Sequence, residues 1–67
     1  MDKDFYNSNI ENFDYLFDLR ASGRTNMFGA GAYLEQEQGL TRQQARTVLS
    51  FWMTNCEEIA KEMGIEL

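Results

Sequence analysis

Arg42, Gln43, Gln44, Arg46 and Thr47 crowd the stretch 42–47. Each carries a side chain able to read a base edge: arginine to guanine, glutamine to adenine, threonine to either. Arg20 and Arg24 add cations that reach phosphate, so four of the six basic residues fall between positions 20 and 46. The competing reading of the same stretch is plainer: polar side chains at the start of a helix are its solvated face. The overall charge of −5, eleven acids against six bases, weighs against duplex binding, because neutralised phosphates supply most of that affinity.

Other chemistry is scarce. The chain has no histidine and one cysteine, Cys56, so it can form no internal disulfide. One thiol cannot build a structural zinc site, which takes about four N or S ligands. Cys56 has no imidazole to activate it as a nucleophile. Gly29-Ala30-Gly31 lacks the preceding strand and third glycine of a dinucleotide loop. The acids Glu11, Asp14 and Asp18, and again Glu57, Glu58, Glu62 and Glu66, read as a solvated surface or as a face offered to a basic partner. These residues predict a non-enzyme with no metal, no cofactor and no small-molecule substrate.

The elements that must position these residues are helices, in one domain spanning residues 1–67. Ser8 with Glu11 fits a capping box, opening a helix over about 9–21 whose inward side is Ile10, Phe13, Leu16, Phe17 and the stem of Arg20. Residues 1–7 read as a partly ordered arm. Thr25 or Asn26 caps a second helix over about 27–38, with Met27, Phe28, Ala30, Leu34 and Tyr33 inward. Its glycines at 29 and 31 each cost ~1 kcal/mol relative to alanine, a cost that suits close helix packing. Thr41 with Gln44 is a second capping box, starting a helix over 42–63. There Ala45, Leu49, Trp52, Cys56, Ile59 and Met63 step by 4, 3, 4, 3 and 4, widened by Val48, Met53 and Ala60. Gly64 stops it.

The fold expectation is therefore all-α: a three-helix bundle with a long C-terminal helix and a helix-turn-helix-like second and third helix. A chain this short usually needs a staple, and none is visible but another chain. The 4-3 stripe is also what a helix-helix seam requires. Leu49, Trp52, Met53, Cys56, Ile59 and Met63 are accordingly the expected oligomer or partner face, and a homodimer is the expected state. An ordinary core face is the alternative. The lone thiol, the absence of a signal-like start and the lack of any apolar run near ~20 residues predict a cytoplasmic chain with no membrane contact.

The stretch Asn26-Met27-Phe28-Gly29-Ala30-Gly31-Ala32-Tyr33-Leu34, with Gly39-Leu40, Ala45-Arg46, Val48-Leu49 and Trp52-Met53, resembles short phage-encoded helical proteins, marine ones included. The resemblance covers roughly residues 13–53. It implies a phage origin and a location inside an infected bacterium, and it implies no catalytic residue. Two functions remain open: a small interaction or structural protein that binds a phage or host protein, and a helix-turn-helix DNA binder or transcription modulator.

Overall fold

The computed structural model describes all 67 residues and is all-α, with no strand. Its helices are α1 (Lys3–Ser8), α2 (Ile10–Ser22), α3 (Ala30–Glu37) and α4 (Arg42–Met63), with a 3-10 turn, Met27–Gly29, leading into α3. The three expected helices, the long C-terminal one among them, are present, and a short fourth, α1, precedes them. No helix is long and apolar enough to cross a membrane.

The N-terminal segment is not an arm. Asp2 caps α1 by accepting the Phe5 N–H at 3.1 Å. Tyr6 is buried, and the Phe5 ring lies 4.6 Å from Phe51 and 6.4 Å from Phe13. Two aromatics in successive positions bury enough apolar surface to fix a short helix that local propensity would not hold. Consequently Ser8 ends α1 instead of capping α2. Asn9 takes the junction: its amide donates to the Phe5 carbonyl at 2.9 Å, and its Oδ1 accepts from Asn12.

In α2 the buried set is Phe13, Leu16, Phe17 and Leu19, while Ile10 is 43% exposed. The helix is sandwiched, so two sides are covered. Phe13 and Phe17 meet α4 through Phe51 and Trp52, whereas Tyr15 and Leu19, one turn apart, lie toward α3. A single inward stripe misses the second contact.

Phe28 reverses its expected direction and is 86% exposed. The cause is the 3-10 turn, in which positions i and i+3 share a side. Met27 and Ala30 take the inner side and Phe28 is left outside. Asn26 fixes this turn by accepting the Gly29 N–H at 2.9 Å. Of the small residues here only Ala30 sits at a helix contact; a Cβ added at Gly31 would meet nothing within 4 Å.

The Thr41 capping box forms as expected: Thr41 Oγ1 accepts from Gln44 N at 3.1 Å, and Gln44 Oε1 accepts from Thr41 N at 2.9 Å. At the far end Gly64 is left-handed, with the paired bonds Gly64 N–H to Lys61 O and Ile65 N–H to Ala60 O, which satisfy the last carbonyls. Between them α4 is not straight. Asn55 leaves helical geometry (φ −117°, ψ 21°) and its amide donates to the Phe51 carbonyl at 3.0 Å. Inserting a side-chain donor into the backbone ladder is a recognised cause of a kink.

Candidate docking face

The inner side of α4 belongs to its own chain. Ala45, Val48, Trp52, Ile59 and Ala60 are buried, and Leu49, Cys56 and Met63 are half-buried. Trp52 is 2% exposed and meets Phe17 edge-on at 5.3 Å. Of the expected partner face, then, Trp52 and Ile59 are committed to the core, and Met53 alone is exposed, at 44%. The 4-3 spacing marked the core seam because α1, α2 and α3 together cover more of α4 than two half-length helices would.

Cys56 sits just past the kink, where Arg20 Nη1 approaches its Sγ at 3.6 Å. Burial pushes the thiol above its ordinary range, and the Arg20 cation offsets part of that shift. Such a thiol is a weak nucleophile, because the thiolate is the reactive form. No group of three or more Cys, Asp or Glu side chains comes together as a metal-holding cluster. Two buried polar atoms lack a partner, Tyr15 Oη and Trp52 Nε1. Trp52 Nε1 lies inside the packed core, whereas Tyr15 is half-buried with its hydroxyl near Glu37 of α3.

The polar stretch 42–47 lies on the outer surface of α4, and the structure uses part of it locally. Gln44 is spent on the capping box. Thr47 Oγ1 donates to the Gln43 carbonyl at 3.0 Å. Arg42 and Arg46 are free: both are exposed and neither joins an ion pair. They line a shallow cleft between α3 and α4 together with Gly31, Ala32 and the buried Ala45. Phe28, Glu35 and Leu49 complete its walls. Glu35 is also without a salt-bridge partner.

Phe28, like Ile10, is expected inward from the sequence and is exposed. The signal that finds it is the asparagine cap followed by a glycine three residues later, which allows a 3-10 start and throws the next-but-one side chain outward. Exposed Phe28, two unpaired arginines and small residues share this cleft; Met53, one helical turn beyond Leu49, is exposed as well and lines the next depression along α4.

The opposite end of α4 is occupied. The α-amino group of Met1 lies 3.8 Å from Glu58, and Lys3 pairs with Glu62. Ile65 folds back against the core. None of the family models, curated proteins or solved structures compared with the chain matches it.

Proposed function

We propose that this chain is a non-enzymatic protein-interaction module whose working surface is the α3–α4 face around Phe28, Arg42, Arg46 and Met53. The observation that carries the reading is Phe28 itself. A phenylalanine 86% exposed in a chain that otherwise buries every large aromatic wholly or partly leaves apolar area for another surface to cover. Aromatic and arginine side chains are the types that dominate protein interfaces. The cleft beside Phe28 gives a partner side chain somewhere to sit.

A duplex-DNA reading fits less well. Gln44 and Thr47 are tied to local backbone groups. Glu35 stands in the same cleft as the two arginines, and the net charge is −5. Phosphate binding needs a contiguous positive surface, and here a carboxylate interrupts it.

The test is a photo-crosslinking residue placed at position 28 in the full chain and activated in bacterial cells, the setting that the phage resemblance makes relevant. The expected product is a discrete protein adduct that disappears when Arg42 and Arg46 are both changed to glutamate. Adducts to nucleic acid, or no adduct at all, overturn the reading.

A further inference from the structure

We infer that the occupant of this face is a second copy of the chain, docked antiparallel across a two-fold axis that passes near Leu49 and Ser50 of α4. The inference rests on the docking reading and names its partner.

The argument is the order of charges along one outer stripe. Arg42, Arg46, Leu49 and Met53 step by 4, 3 and 4, so they follow one side of the first part of α4, with Leu49 at its border with the core; Glu57 lies past the Asn55 kink and lines a shallow depression with Met53. Arg42, Arg46, Met53 and Glu57 are exposed and Leu49 is half-buried. The stripe is therefore basic at its start, apolar in its middle and acidic at its end. None of the three charged groups is in an ion pair within the chain.

A two-fold interface is self-complementary: residue i meets residue j and j meets i. Reversing one copy about the Leu49–Ser50 midpoint sets Arg42 opposite Glu57 of the other copy, twice. It sets Arg46 opposite Met53, whose apolar side chain the arginine stem can cover, and brings the two Leu49 side chains together. A parallel arrangement sets arginine against arginine, and like charges in apposition oppose association. Phe28 shares the cleft with Leu49 and so flanks the apolar centre, adding aromatic area on both sides of the axis.

Size is compatible with a reversible dimer. A standard interface takes ~800 Å² per partner, about a fifth of the 4442 Å² that this chain exposes. A chain too small to bury more than ~60% of its unfolded surface also gains stability from the partner by mass action.

The experiment is sedimentation equilibrium of the full chain at low salt across a wide concentration range, with a charge-swap pair. Wild type is expected to pass from a 7.8 kDa particle toward one of twice that mass. Arg42→Glu alone and Glu57→Arg alone each set like charges opposite one another in a homodimer, so each is expected to weaken association about tenfold or more. Mixing the two variants restores both opposite-charge pairs, and the mixed dimer is expected to return to near wild-type affinity. Circular dichroism melting of each variant confirms that folding is intact, since both positions are exposed. A 7.8 kDa particle at every concentration, or no rescue in the mixture, overturns the antiparallel dimer. If the chain stays monomeric while the crosslinker at position 28 still captures a discrete protein, the second copy is rejected and the docking reading stands. If neither occurs, both fall.

Discussion

The two parts of α4, on either side of Asn55, belong to one helix and differ in charge and in what covers them. From Arg42 to Thr54 there is no carboxylate; from Glu57 to Met63 there are three. The division falls at Asn55, where the backbone also leaves helical geometry. The acidic half is held by the chain's own ends: Met1 reaches Glu58, Lys3 reaches Glu62 and Ile65 folds back onto the last turn. The first part has its inner side covered by α2, α3 and the Phe5 ring of α1, and its outer side bare. One helix is thus tied down at one end and bare on its outer side at the other. The difference comes from where the rest of so short a chain can reach.

The largest way to break this comparison is to remove the residue on which both halves depend. Trp52→Ala deletes a fully buried indole, and truncations of this kind cost ~3–5 kcal/mol. For a domain whose whole stability is ~5–15 kcal/mol at most, urea denaturation is expected to find the variant largely unfolded. Trp52→Phe sharpens the point. It keeps most of the ring and removes an N–H that has no partner, so its cost is expected below about 1.5 kcal/mol. Equal losses in the two variants would mean that the indole nitrogen is satisfied.

Tyr6→Ala tests whether the N-terminal segment is part of the body. Its burial predicts a loss of ~3 kcal/mol in the same denaturation experiment. A loss of a few tenths would restore residues 1–7 to a loose arm and leave the acidic half uncovered.

A smaller effect is expected from pH. Burial raises the Tyr15 hydroxyl above its usual 10.0, and the nearby Glu37 carboxylate adds to the shift. Burial likewise raises Cys56 above 9.0. Both groups are neutral in the fold and ionise more easily in the unfolded chain. Their contribution is complete below the unfolded values and is lost as pH rises through the folded ones. Stability is therefore expected to be flat from neutral pH to about 9 and to fall above it. Tyr15→Phe is expected to soften the fall that begins near 10. A fall of the same depth in that variant would place the titrating group elsewhere.

Phe28→Ser should do least to the fold. An exposed side chain contributes within about 0.5 kcal/mol, so the melting midpoint is expected to stay put while association weakens. A clear drop in melting temperature would mean that Phe28 packs within its own chain, and the contrast between the halves would lose its free surface.

How far the sequence discloses this molecule depends on which signals are local. The α4 boundaries follow from Thr41, Gln44 and Gly64, whose capping bonds involve only near neighbours, and all of these form as the residue types require. The helix over 42–63 and the all-α class are legible for the same reason. What the pattern does not disclose depends on third parties. Residues 1–7 are held because Tyr6 stacks on Phe13 of α2 and Phe5 meets Phe51 of α4. Leu19 is buried because α2 has neighbours on two sides. The apolar stripe of α4 reads equally well as seam or core until the covering helices are in place, and they turn Trp52 and Ile59 into core. On the proposed docking face, the sequence offers Arg42 and Arg46 only as candidate nucleic-acid contacts. Phe28 was hidden because a 3-10 turn changes the helical phase by one position.

The measurement closest to the central claim is an amide NMR dilution series on the wild-type chain. If the first half of α4 meets a copy of itself beside Phe28, concentration-dependent shifts should cluster at residues 28–35 and 42–57. The amides of α1 and of residues 58–67 should hold still. Spectra that do not change with concentration, or shifts that gather on α1 and the acidic end, would contradict the account.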